Sequence, residues 1–416
     1  MRYAISPLVA VAEIPRSVDS DSGTRSIQFG DVLFHMTEEP HWGGLAKAAR
    51  GSGAVLKQLP QATPRARLHM VVQKGRLFQQ QHPDVPVLLD KGRYLVVDLD
   101  ARKARKLAQG HLPCFAIRRL ADNAVAFDAP APRASRSAVL PWVQTLVNRI
   151  TRATFEADLK QLVARPTRFS TSSHYVAAAK LARTQLKQLG FQARLQTITV
   201  NGGASFNLIA DKAGQGPAPR GVVIVGAHLD SINISGGPAA SAPGADDDGS
   251  GCAGVLSIAH ACKDHQAIHD LRLVLFGGEE QGLFGSQQYV ASLSVAQRRR
   301  IRAVVQMDMI ATLNTALPTV LLEGAAQSQS VIDGLADAAA TYAQLKVQTS
   351  LHAFNSDHVS FLDAGIPAVL TIEGTDDANQ HIHTANDTLA HINFDLALAV
   401  LRMNLAFVAQ TIGKMP

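Results

Sequence analysis

From about residue 204 onward, apolar runs of four to seven residues recur at 204–210, 221–226, 271–276, 302–308, 319–322 and 366–372. Each is too short and too evenly apolar for an amphipathic helix, so each reads as a buried strand. Between them, near 176–189, 250–264, 327–344 and 392–412, apolar positions repeat at helical spacing. Strands alternating with helices in this way predict an α/β fold, a mixed and mostly parallel twisted sheet with helices on both faces. Open sheets of that kind place their chemistry beyond the carboxyl ends of the strands.

The first third has a different texture. Tyr94–Asp98, the basic stretch Ala101–Gln109 and Phe115–Leu120 predict a strand, a helix and a strand, as in a small α+β domain. Ala129–Arg136, rich in Ala and Pro, reads as a linker, which divides the chain into residues 1–137 and 138–416. Residues 1–137 carry a net +8 and the remainder −2, against +6 for the whole chain. Arg102, Lys103, Arg105 and Lys106 are densely placed, but aromatic platforms are few nearby, so a solvated helix face is expected and no nucleic acid. The alternative is a prodomain-like module that docks over an acidic cleft, in which case a cut within 129–137 raises activity.

Other readings narrow the class further. Hydrophobic residues make up 46% of the chain, enough for a large core, and no apolar run approaches the roughly 18 residues of a membrane span. The three cysteines, Cys114, Cys252 and Cys262, offer no disulfide framework. Met1-Arg2-Tyr3 followed by Ala4–Ala12 has the look of a clipped signal peptide, interrupted by Ser6-Pro7, and leaves the compartment open.

The strand ends carry the chemistry. His228 and Asp230 stand at i and i+2 on one side of an extended segment, so Asp230 can accept the spare ring proton of His228. Asp246–Asp248 form a run of three carboxylates before a helical pattern, and such crowding is relieved by cations. One of them could bridge two ions. Glu279 and Glu280 follow the run ending at Phe276. Adjacent residues point different ways, so one can place a metal while the other moves a proton. Asp308 ends the next strand, and His383 lies in a later loop with His381 as its competitor. Two imidazoles and three carboxylates suit a pair of zinc-like ions better than one tetrahedral site.

In order, spacing and flanking sequence, these stretches resemble the M28 family of zinc aminopeptidases over roughly Leu140 to Ile412, including Arg168-Phe169-Ser170-Thr171, Ser356-Asp357-His358 and Ala364-Gly365-Ile366-Pro367. The resemblance implies two zinc ions held by His228, Asp247, Glu280, Asp308 and His383. Asp247 would bridge the ions, Glu280 would share one with His383, and Asp308 would join His228 on the other. It implies Glu279 as general base and acid, Asp230 as the partner of His228, and peptide substrates. Met309, Leu370, Ile372 and Ile382 match the walls of an apolar pocket for a Leu-like first residue. Asp376 and Asp377 stand where apolar or aromatic surroundings occur in the family; buried, they could attract a Lys or Arg side chain, but an exposed polar loop is expected of them.

The loop Leu351–Asn355 lacks the Tyr that supports the oxyanion in the bacterial leucyl aminopeptidases of the family, which leaves His352 as a candidate for that task. Three other functions compete with aminopeptidase: an M20-type carboxypeptidase or deacylase, a mononuclear-zinc glutaminyl cyclase, and a non-catalytic binding protein. An M20 lid would need more room than the 75 residues from Asp308 to His383. A binding protein would have lost ligands.

Overall fold

A computed structural model describes residues 2–7, 24–51, 55–59, 63–108, 115–120, 124–129 and 138–416. Cys114, most of the expected linker and residues 8–12 of the signal-like stretch lie outside them. The chain forms two compact units, Met1–Ala131 with Gln348–Phe354, and Pro132–Val347 with Asn355–Pro416.

The first unit contains β1 (Arg2–Pro7), β2 (Thr24–Phe29), β3 (Val32–Thr37), α1 (Trp42–Gly51), β4 (Lys57–Gln58), β5 (Leu68–Gln73), α2 (Leu77–Gln81), β6 (Val87–Lys91), β7 (Tyr94–Asp98), α3 (Ala101–Ala108), β8 (Phe115–Arg119) and β9 (Val125–Phe127). Two sheets run β4-β1-β3-β2-β9 and β6-β7-β5-β8. Alternate residues sort to opposite faces. Met70, Val72 and Val96 join Tyr3, Ile27, Phe34 and Met36 in one core, whereas Val71, Leu95 and Val97 pack with Phe78 and Ala104 of the helices. On α3 only Ala104 is buried, and Arg102, Arg105 and Lys106 are exposed. The signal-like segment contributes β1, paired antiparallel along its length with β3.

The second unit contains α4 (Pro141–Val147), α5 (Arg152–Val163), α6 (Ser173–Gln188), β10 (Gln192–Val200), β11 (Gly203–Lys212), β12 (Val222–His228), α7 (Gly251–Cys262), β13 (Asp270–Phe276), α8 (Phe284–Ser292), α9 (Val295–Arg300), β14 (Ile301–Met307), β15 (Thr319–Glu323), α10 (Gln329–Ala338), β16 (Lys346–Ser350), α11 (His358–Asp363), β17 (Ala368–Glu373) and α12 (Phe394–Ile412). Its sheet has the order β10-β11-β13-β12-β14-β17-β15-β16. The four central strands β13, β12, β14 and β17 are parallel, and β10, β11 and β15 pair antiparallel outside them. Strands β12 and β17 are buried at every position, as burial of both sheet faces requires. α12 is long and apolar enough to pass for a membrane span, but 78% of its most apolar window is buried in the fold. Leu396, Val400, Leu401, Leu405 and Val408 place it in the main core.

Candidate metal centre

His228 is the last residue of β12, level with Phe276 of the parallel neighbour β13. Two residues past Phe276 the chain turns through Gly278 at φ +70, a conformation that favours glycine, and a Cβ there would lie 2.6 Å from Val200. The turn presents Glu279 and Glu280 beyond the strand end. Asp230 fixes it, because its two carboxylate oxygens accept the backbone N–H groups of Glu279 at 3.2 Å and Glu280 at 3.1 Å. Asp308 follows β14 directly and its N–H reaches the carbonyl of Thr371. The parallel register thus brings the segments carrying His228, Glu279 with Glu280, and Asp308 to one sheet edge.

The aspartate triplet divides its work. Asp248 accepts from the N–H of His228 at 3.0 Å and of Gly251 at 2.9 Å. Asp246 accepts from Ala311 N–H, the Thr312 hydroxyl and Asn379 Nδ2. Asp387 takes the N–H groups of Asp246 and Asp247 on its two oxygens, at 2.8 and 2.9 Å. With the carboxylates of Asp246 and Asp248 engaged elsewhere, Asp247 presents its own between two imidazoles. Oδ1 lies 3.1 Å from His228 Nε2, and Oδ2 lies 3.1 Å from His383 Nε2.

The remaining distances sort the cluster into two halves. His383 Nε2 is 3.0 Å from Glu280 Oε2, and His228 Nε2 is 3.5 Å from Asp308 Oδ1 and 3.8 Å from Glu279 Oε2. His383 adopts a left-handed φ of 57, a strained conformation of the kind that gathers at functional sites. His381, its competitor, stacks on His391 with ring centroids 3.6 Å apart.

Charge explains what such a cluster needs. Burial alone would lower both imidazole pKa values, yet Glu279, Asp308 and Asp247 hold that of His228 well above its ordinary value. Glu280 and Asp247 push that of His383 up to about 10. Both shifts record an acidic excess that divalent cations would neutralise. Nε2 of His228, Nε2 of His383 and Oε1 of Glu280 are buried with no hydrogen-bond partner of suitable geometry. Such atoms are costly unless coordinated, and their imidazole and carboxylate character suits zinc. Donor atoms of His228, Glu279 and Asp308 lie within 4.8 Å of one another, as do those of His228, Asp247 and Glu280. The residues present fit a metal.

Comparison with known proteins gives the family. The Peptidase family M28 profile matches residues 207–408. Leucine aminopeptidase 1 of Grosmannia clavigera is 30% identical over 289 residues, covering 63% of this chain and 68% of that protein. The chain belongs to peptidase family M28. As an M28 member it is a metal-dependent hydrolase. The solved structure of BSAP, a zinc aminopeptidase from Bacillus subtilis, shares the fold, with TM-score 0.57, 17% identity, and coverage of 64% of this chain and 96% of that one. LapA aminopeptidase from Legionella pneumophila aligns with TM-score 0.60, 18% identity, and coverage of 84% of this chain and 99% of that one.

Several expectations shift in detail. The acceptor for the spare ring nitrogen of His228 is the main-chain carbonyl of Asp230, at 3.1 Å, with the carboxylate 3.8 Å away. The carboxylate is turned to the Glu279–Glu280 turn instead. Asp376 and Asp377 are buried, 1% and 4% exposed, where an exposed loop was expected. Their turn is pinned inward by Asn379, whose amide bonds Asp246, Thr312 and Glu373. Met309, Leu370, Ile372 and Ile382 do come together, with Leu321 added, as a separate apolar cluster. The ring of His352 bonds the Val125 carbonyl at 3.0 Å.

Arg168 and Asp387 escaped the reading from residue chemistry. Arg168 is fully buried and donates to the carbonyls of Leu229, Pro243 and Gly244, so it clamps the loop leading into the triplet. A carbonyl-bound arginine leaves no charge pattern to read, although it stands in a stretch shared with the family. Arg168→Ala should cost about 3 kcal/mol, since several charge-assisted hydrogen bonds are lost in the interior. Urea denaturation of the two proteins measures it.

Proposed function

We propose that the chain is a dinuclear zinc aminopeptidase that removes the first residue of peptides, with preference for Leu-like apolar residues. The observation that carries this reading is Asp247, with one oxygen turned to His228 and the other to His383 at equal distance. His228, Asp308 and Asp247 would hold one ion; His383, Glu280 and Asp247 would hold the other. Bound there, two ions would supply a polarised peptide carbonyl and a water whose pKa is lowered toward about 7.

Glu279 is the residue left to move protons. Its backbone is fixed by Asp230, and its carboxylate sits on the His228 side without the closer approach that Asp247 makes. Glu279 takes a proton from the attacking water and returns it to the leaving amine. Asp230 keeps the Glu279–Glu280 turn in place, and its carbonyl fixes which ring nitrogen of His228 carries hydrogen.

Selectivity follows from what lies beside the centre. Met309 directly follows Asp308, and Ile382 directly precedes His383, so the apolar cluster they share with Leu370 and Ile372 adjoins the proposed ligands. A Leu side chain would bury there, while the free α-amine is anchored at the acidic centre. Leu-p-nitroanilide should therefore be hydrolysed at least about tenfold faster than the Ala substrate, given about 1–3 kcal/mol for each lost methylene. N-acetyl-Leu-p-nitroanilide should be slower by about 10²-fold or more, because blocking the amine removes its polar anchor. Equal rates on free and acetylated substrates would contradict the exopeptidase reading.

A further inference from the structure

The first unit is not a continuous segment. The chain leaves the second unit after Val347, contributes Gln348–Phe354 to the first, and re-enters the second at Asn355. Within the first unit this inserted piece is bound at Thr349, Ser350, His352, Ala353 and Phe354. Thr349 and Asp128 exchange two backbone hydrogen bonds, at 2.8 and 2.9 Å. Ser350 Oγ donates to the Ala126 carbonyl at 2.8 Å, and the His352 ring meets the Val125 carbonyl at 3.0 Å. Arg118 donates to the Ala353 carbonyl at 2.7 Å and Arg93 to the Phe354 carbonyl at 3.3 Å. Phe354, 6% exposed, belongs to the same core as Tyr3, Phe34 and Met70.

The residues immediately after Phe354 give this attachment its meaning. Asn355 turns through a left-handed φ of 41, and Ser356, Asp357 and His358 are completely buried. Asp357 accepts from Gln306 Nε2 at 3.3 Å, and Gln306 lies on β14 two residues before Asp308. A removable leader would be expected to fold over the enzyme from one contiguous stretch. Here the catalytic chain itself supplies a strand pairing and a core aromatic to the N-terminal unit, and freeing that unit would expose Phe354 and strip the backbone partners of Thr349.

We propose that the N-terminal unit is a permanent part of the working enzyme, which holds Gln348–Phe354 and thereby positions the chain entering Ser356-Asp357-His358, instead of a leader that is shed. Residues 1–137 are then a structural part of the catalytic chain, joined to it by an inserted clasp.

The test uses the full chain with a site-specific protease sequence placed within 130–137, cut after folding and checked for completeness on a denaturing gel. The cut protein should elute from a native sizing column as one species containing both fragments, with Leu-p-nitroanilide hydrolysis within twofold of the uncut protein. Cut Phe354→Ala and cut Thr349→Pro, the second removing the N–H that meets Asp128, should release the N-terminal fragment. Separation of the cut parent into two species would overturn the proposal whatever its activity, and a rise in activity on cutting would establish the shed leader in its place. Cut Phe354→Ala and Thr349→Pro proteins that both stay as tightly associated as the parent would also overturn it, because the clasp would then not be the attachment. Elution position does not depend on turnover, so failure here is distinguishable from failure of the aminopeptidase reading.

Discussion

Glu279→Gln is expected to bind the same metal as the parent and to lose about 10²–10⁴-fold in kcat, the range for removing a positioned general base. The substitution keeps the shape of the side chain and the N–H that Asp230 accepts, but the amide can neither take nor return a proton. Glu279 lies 3.8 Å from His228 Nε2, beyond Asp247 at 3.1 Å and Asp308 at 3.5 Å, and stands outside the proposed ligand set, so metal content should stay within experimental error. KM should change little, since the amine anchor and the apolar cluster remain. A Glu279→Gln protein with parental kcat on Leu-p-nitroanilide would remove Glu279 from the mechanism. One that loses metal together with activity would make it a ligand.

Asp247→Ala carries the other large effect, and its signature is the opposite. Among the described residues Asp247 is the one carboxylate within 4 Å of both imidazoles, so its removal should empty both positions at once and abolish activity. Stability gives a second readout. Ligands bound only to the native state stabilise by about 4 kcal/mol at a thousandfold excess over Kd, so chelation should lower the parent's Tm by several degrees. The Asp247→Ala protein, having no metal to lose, should melt at the same temperature with and without chelator. Retention of a full metal complement by this variant would show that Asp247 is not shared.

Much of this was legible in the sequence because strand ends are punctuated. His228, Glu279, Glu280 and Asp308 each follow an apolar run closely, and in a parallel sheet such runs end on one edge, so their convergence follows from topology alone. The apolar runs mark β11, β12, β13, β14, β15 and β17. β10 was missed because Gln192–Val200 alternates polar and apolar residues at the sheet margin, which lowers the apolar signal without removing the strand. α5 and α8 were missed because only four residues of each are buried, which leaves few apolar positions to read.

At the centre, spacing in the chain was blind to who holds whom. Nothing local shows that Asp387 fixes the backbone of Asp246 and Asp247, 141 and 140 residues away. Nor does an HxD spacing distinguish the carboxylate of Asp230 from its carbonyl as the partner of His228. Asp376 and Asp377 were misjudged because burial of acids depends on distant partners, here Asp246 and Thr312, which hold their turn inward through Asn379. The inserted clasp is a long-range feature too, since Leu351–Asn355 reads as an ordinary loop until its partners Asp128, Ala126 and Arg118 are brought beside it.

The most direct test of the dinuclear centre is zinc titration of the chelated full-length protein, following Leu-p-nitroanilide hydrolysis and bound metal together. Activity that reaches its plateau only as the second equivalent binds is the predicted result; full activity at one equivalent, with no further ion taken up, would contradict it.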